Sequence, residues 1–122
     1  MGIKKIYMDE INDLSKKCLP CNGKLSNLSD AEIGQMLINL PKWQNLKNKI
    51  YKEFNFQTYM AGIDFCNYIA QVAEKQDHHP DLEVKYKRVN IFLSTHKTDG
   101  ITLNDIILAN KIDAVYNLFF ND

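Results

Sequence analysis

Along this chain the spacing of apolar residues switches between a helical period and a strict alternation, and the order of those switches restricts the fold more than any single residue does. Ser29 opens the first helical stretch. With Glu32 three residues on it forms a capping box, and Ile33, Met36, Leu37 and Leu40 follow at helical spacing until Pro41 stops the helix. Trp43 to Phe56 reads as two short strands, with Ile50, Phe54 and Phe56 on one period-2 face and a polar turn from Asn45 to Lys49. Thr58 then caps a long helix reaching about Asp77. Leu82 to Thr95 reads as a second strand pair, Val84 and Tyr86 alternating first and Val89, Ile91, Leu93 and Thr95 after a reversal near Lys87 and Arg88. Past the turn pair Asp99-Gly100, Thr102 opens the last helix, with Asp105 completing a capping-box-like start and Ile107, Ala114, Val115 and Leu118 as its buried face.

Strand pairs separated by helices build an antiparallel sheet with helices packed on it. The expected fold is therefore one α+β domain over residues 28–122, in the order α-β-β-α-β-β-α, with a four-stranded antiparallel sheet and three helices on one face. Residues 1–27 are polar, contain Cys18-Leu-Pro-Cys21-Asn-Gly23, and are expected to form an N-terminal arm. The long helix carries an unusually wide apolar arc. Tyr59, Ile63, Cys66, Ile69, Ala70 and Ala73 make one stripe, and Phe65, Tyr68 and Val72 extend it, leaving Asp64, Asn67, Gln71 and Glu74 as a narrow polar side. Such an arc calls for two buried sides, one on the sheet and one on something else, so oligomerisation is expected.

Charge narrows the partners. Fifteen Lys plus Arg balance fifteen Asp plus Glu, and Arg88 is the single arginine. Nucleic-acid binders draw most of their affinity from a cationic excess, so no direct nucleic-acid contact is expected. No run approaches the ~18 apolar residues of a membrane helix, and the N-terminal residues lack a signal peptide's apolar segment, so a cytoplasmic protein without a membrane partner is expected. Three cysteines, Cys18, Cys21 and Cys66, are an odd set that reads as free thiols in a reducing compartment. Glycine-rich phosphate cradles and the Gly-x-Ser-x-Gly elbow are absent. Trp43 reads as core.

Histidine marks the candidate site: His78, His79 and His96 are the chain's only three. Pro80 disfavours the helical conformation for His79, so the long helix ends near Asp77 or His78 and its imidazoles sit at the negative end of the helix dipole. Glu74, one turn upstream of His78, favours the same imidazolium form. These influences suit general acid–base work at neutral pH. His96 follows Ser94-Thr95 at a strand end, which can converge on a helix end. An exposed helix terminus and a three-histidine zinc site are the rival readings. Adjacent histidines are a poor start for tetrahedral coordination, and Cys18-x-x-Cys21 supplies two of the four ligands a structural zinc needs, so no metal is assigned.

The segments Glu74-x-x-Asp77-His78-His79-Pro80-Asp81, Val89-x-Ile91-x-Leu93-Ser94-Thr95-His96 and Gly100-x-Thr102-x-x-Asp105 together resemble the pterin-4a-carbinolamine dehydratase family. Leu40-Pro41-x-Trp43, Phe54-x-Phe56, Phe65, Ala73 and Cys18-x-Pro20-Cys21-x-Gly23 extend the likeness, the last to the bacterial and plant branch. Leu82 departs from it, since animal members carry Trp there. The resemblance implies assembly as a homodimer or homotetramer, and dehydration of a 4a-hydroxytetrahydropterin to the quinonoid dihydropterin with no metal and no cofactor. It implies His78 and His96 as the acid–base pair and His79 orienting the pterin. Glu74 would set imidazole charge; Asp77, Pro80 and Thr95 would shape or bind; Asp105 would support the site from the last helix. It also implies a rival role, because animal relatives act as dimerisation partners of a homeodomain transcription factor.

Overall fold

The structure, a computed structural model, describes Cys18 and residues 25–121; most of the expected arm, Cys21 included, lies outside the described residues. Helix α1 (Asp30–Met36) starts at the capping box its sequence announces: the Glu32 amide donates to Ser29 Oγ at 3.1 Å and the Ser29 amide to Glu32 Oε1 at 2.9 Å. Leu37–Asn39 then tighten into a 3₁₀ turn, because Pro41 keeps Leu40 out of the helical region (φ −124°, ψ 79°). Strands β1 (Gln44–Asn45), β2 (Ile50–Asn55), β3 (Asp81–Val84) and β4 (Arg88–Leu93) form one antiparallel sheet in the order β1-β2-β4-β3. Helix α2 (Tyr59–Gln76), capped by Thr58 Oγ1, joins β2 to β3, and α3 (Leu103–Phe119) follows β4.

Alternation divides the sheet. Ile50 and Phe54 of β2 and Val89, Ile91 and Leu93 of β4 are buried under the helices, while Tyr51, Glu53, Arg88 and Phe92 point the other way. The α+β order expected from the periodicity is the one observed. Several details differ. The buried stripe of α2 is Gly62, Phe65, Ile69 and Ala73, so Phe65 is its fully buried centre rather than an outer extension, and Tyr59 and Ala70 are exposed. Gly62 lies on this stripe facing the sheet, where a Cβ would sit in ordinary contact with Val89 Cγ2 at 3.4 Å and with the Phe56 ring at 3.5 Å. In α3 the buried residues include Ile106, Leu108 and Ile112, whereas Leu118 is 74% exposed. Asn104–Ala109 at the start of α3 are buried all round because this helix runs through the core. Tyr86 belongs to the β3–β4 turn, not to a strand.

One charge pair sits inside the helix–sheet layer. Asp113 Oδ1 accepts from Lys52 Nζ at 2.9 Å and from Trp43 Nε1 at 3.0 Å, and the Lys52 ammonium lies 4.8 Å from the centre of the Phe54 ring. Trp43 is thus core, as expected, with its one polar atom satisfied. Burial pushes the Asp113 carboxyl above its ordinary value, and Lys52 and Trp43 only partly counter that. The folded chain therefore holds the Asp113 proton more tightly than the unfolded chain does. Its favourable contribution is complete below the unfolded value of ~3.9 and is lost as pH rises through the raised one. Urea unfolding should show the stability of the wild type relative to Asp113→Asn growing as pH falls from about 7 to about 4; a pH-independent difference would contradict the assignment. Asp113→Ala, which strands the ammonium, should cost ~3 kcal/mol at neutral pH.

Candidate active site

The site forms where α2 ends, β4 ends and α3 begins. Helix α2 closes with Asp77 in the left-handed region (φ 52°, ψ 41°), the His78 amide donating back to the Ala73 carbonyl at 3.2 Å and the Asp77 amide to Glu74 at 3.2 Å. This is a Schellman ending, with Asp where Gly or Asn is usual. The chain then runs extended through Pro80 into β3, so neighbouring side chains point to opposite sides: His78 is buried and His79 exposed. On the other side of the site, Thr95 and Gly100 pair across a short bridge (Thr95 amide to Gly100 carbonyl, 2.8 Å), with His96–Thr98 as a 3₁₀ turn between them. Asn27 Nδ2 donates to the Thr98 carbonyl at 2.9 Å, and its side chain lies where a Cβ on Gly100 would fall, so any larger residue there would have to displace Asn27. Strand β4 consequently stops at Leu93, and His96 sits in the turn rather than at a strand end.

At the centre is Asp105, with no exposed surface. Its Oδ1 lies 2.6 Å from His78 Nε2, and its Oδ2 accepts from Thr95 Oγ1 and from the Thr102 amide, both at 2.9 Å. Because Thr95 gives its hydroxyl proton to Asp105, Thr102 Oγ1 donates to Thr95 Oγ1 (2.7 Å) while accepting from the Asn104 amide (3.3 Å). A carboxylate oxygen has no proton to offer, so Nε2 of His78 carries one and Nδ1 is the nitrogen left for other work. Cys18 reaches the same junction: its amide donates to Gln76 Oε1 at 2.8 Å and its thiol lies 3.6 Å from the Asn104 carbonyl.

The structure thus joins His78, Thr95 and Asp105 in one buried network. His79 instead faces Glu74, at 3.4 Å with both side chains exposed. The expected Glu74–His78 pairing is corrected: Glu74 points to the solvent side, and Asp105 is the carboxylate that His78 meets. His96 is exposed and, among the described residues, has no side-chain hydrogen bond. Asp77 is the exposed corner residue and Pro80 is half-buried. Thr102 and Asn104 join the network without being expected as site residues, although the Thr102-x-x-Asp105 cap motif points at the first. No group of three or more His, Cys, Asp or Glu among the described residues is arranged to hold a metal ion.

The family profile described as pterin 4 alpha carbinolamine dehydratase matches residues 26–115. The chain belongs to this family. A Nitrosospira multiformis protein named for pterin-4-alpha-carbinolamine dehydratase is 38% identical over 109 residues, 88% of this chain and 96% of its own. A Rickettsia canadensis protein of the same name is 41% identical over 101 residues, 81% and 93% of the two chains. Among solved structures, the transcriptional coactivator/pterin dehydratase from Brucella melitensis superposes with a TM-score of 0.70 at 34% identity, covering 74% of this chain and 98% of its own. Every site residue from Glu74 to Asp105 lies within the span that the pterin carbinolamine dehydratase profile matches.

Asp77 tests how this dehydratase-family site is held. Left-handed backbone costs a residue with a Cβ ~1 kcal/mol, and Asp offsets part of that locally. Thermal unfolding should show Asp77→Gly raised by a few degrees and Asp77→Val lowered by more; a Val variant as stable as wild type would mean the corner is not strained.

Proposed function

We propose that this chain dehydrates a 4a-hydroxytetrahydropterin to the quinonoid dihydropterin and water by histidine acid–base catalysis. The C4a–O bond breaks as the hydroxyl takes a proton and leaves as water. The N5–H proton is removed, and its electron pair becomes the C4a=N5 double bond. The reaction needs one proton donor and one acceptor near neutral pH, which imidazoles supply. The observation that carries the reading is the buried 2.6 Å His78–Asp105 pair in a chain of this family. With Nε2 held by Asp105, Nδ1 of His78 takes the proton or gives it. His96, from the facing turn, serves as the opposite partner, and His79 orients the ring from the exposed side. Asp105, Thr95 and Thr102 are positioning residues that fix the His78 ring and tautomer; Glu74 orients His79, and Asp77 and Pro80 shape the corner.

With chemically generated 4a-hydroxytetrahydropterin, His78→Ala and His96→Ala should each lose ~10²–10⁴-fold in kcat, while His79→Ala mainly raises KM. Losses below about threefold in both of the first two variants would remove them from the mechanism. Asp105→Asn should reduce kcat and shift the pH–rate profile, a change that a purely structural role would not produce. Turnover should survive chelation of metals.

Self-association of the chain is supported by its helical surface. Tyr68 of α2 stacks on Phe119 of α3, with centroids 5.3 Å apart and planes at 29°; both are exposed, as are Leu118 next to Phe119 in the chain and Tyr59 and Met60 at the start of α2. Phe65, expected in this interface, is instead core, so the contact surface is narrower than the helical arc alone implies. Light scattering should give a mass above the 14.2 kDa of one chain, and Tyr68→Glu should lower it. A monomeric wild type rejects self-association; an unchanged mass in the variant moves the interface elsewhere.

A further inference from the structure

The helices cover one face of the sheet, and the other carries an aromatic row that the dehydration chemistry leaves unused. Register sets it out as Gln44, Tyr51, Phe92 and Asp81 across the four strands. Tyr51 and Phe92 stack with centroids 5.0 Å apart and planes at 26°, and the Lys49 ammonium lies 5.6 Å from the Phe92 centroid. In the next row the polar groups are already engaged. Asn90 Nδ2 donates to Glu83 Oε1 at 2.8 Å, Tyr51 Oη lies 3.4 Å from Asn90 Oδ1, Lys85 reaches Glu83 at 3.7 Å, and Arg88 reaches Glu53 at 3.7 Å. Lys49, by contrast, has no carboxylate partner among the described residues.

This row lies beside the candidate site. Asp81, opposite Phe92, is two residues from His79, and alternation through Pro80 sends His79 and Asp81 to the same side. Lys49 and Ser94 follow directly on the last registered pair, Ile50 with Leu93, and His96 is two residues beyond. A pterin ring held at His79 and His96 therefore has its ring substituent within a few ~3.3 Å strand steps of Phe92.

We propose that the Tyr51–Phe92 row and Lys49 form a second half of the substrate site, which takes an aryl group bearing a carboxylate on the pterin's C6 substituent. This rests on the proposed dehydratase activity. A flat apolar ring suits an aromatic partner better than a short hydroxyalkyl chain, whose hydroxyls would find the neighbouring polar groups committed. Lys49 supplies the countercharge, and Asp81, at the β3 end of the row, repels a carboxylate towards β2 and the lysine.

The test compares two 4a-hydroxytetrahydropterins, one with a 6-methyl group and one with a p-aminobenzoylglutamate substituent. The arylated substrate should show a KM lower by roughly tenfold, the size of one aromatic contact plus one exposed ion pair. Phe92→Thr and Lys49→Ala should each reduce the ratio of kcat/KM between the two substrates, by about three- to tenfold and two- to fivefold respectively. Equal KM values, or variants that leave the ratio unchanged, overturn the proposal. Calorimetric binding of the two corresponding tetrahydropterins separates it from the reading it rests on: a tenfold affinity difference without turnover of either substrate would uphold the subsite and reject the dehydratase, whereas turnover with equal affinities would do the reverse. Lys49→Ala changes a side chain outside the core, so it keeps the test open if Phe92→Thr fails to fold.

Discussion

The Asp105 carboxylate is the interaction on which the site depends. A charge with no exposed surface costs several kcal/mol unless donors replace its water, and the chain supplies those donors from three different segments. The Thr102 amide comes from the start of α3, the Thr95 hydroxyl from the bridge after β4, and His78 from the end of α2. None of these segments can move without leaving the carboxylate short of a partner. The junction that anchors the last helix is therefore the same junction that orients the imidazole, and the stability of one is the geometry of the other.

The two adjacent histidines take opposite roles for a backbone reason. A left-handed residue at Asp77 turns the chain out of α2, and Pro80 keeps the segment around it extended, so successive side chains diverge. His78 falls on the helix-covered side and meets Asp105; His79 falls on the solvent side and meets Glu74. Two identical residues with different surroundings cannot be interchangeable, and this is the physical ground on which the proposed function gives them different roles. The same alternation carries on into the sheet, where Leu82 lies on the covered side with Ile91 and Asp81 on the open side with Phe92.

Reading the residues in order recovers the elements because each carries local punctuation: Ser29, Thr58 and Thr102 all cap the helices they announce. Local pattern does not carry rotation about a helix axis. The apolar residues of α2 outnumber those one face can bury, so the wheel alone does not choose between Phe65 and Tyr59 as the centre, and tertiary packing decides by setting Phe65 against Phe54 and Phe56. For the same reason the wheel makes the self-association surface too wide. At the site, the histidines and Asp105 are legible by type and position, yet their pairing is not. Glu74 is near His78 in sequence, whereas Asp105 is brought to it only by tertiary packing of α3 on α2, and a helical-spacing rule counts the first kind of neighbour alone. Lys52 shows the same limit, since an alternating strand with a lysine on its covered face is intelligible only once Asp113 and Trp43 are seen opposite it.

The two capping boxes differ chiefly in burial, and that difference separates a cap that only starts its helix from one that also holds His78. Ser29 with Glu32 and Thr102 with Asp105 are the same local device, each satisfying the amides that a helix start leaves without partners. At α1 the Glu32 side chain is exposed and accepts from its own cap. At α3 the cap is buried, and the shorter Asp turns its second oxygen towards the interior, where a histidine stands 2.6 Å away. A cap in water is worth about 1 kcal/mol of helix stability and nothing more. Buried, the same cap must satisfy every lone pair of its carboxylate, and the partner recruited for the remaining oxygen acquires a fixed tautomer and a fixed direction. The fixed imidazole at this junction thus follows from burying an ordinary helix start against a helix end, a step that motif and spacing are silent about and packing supplies.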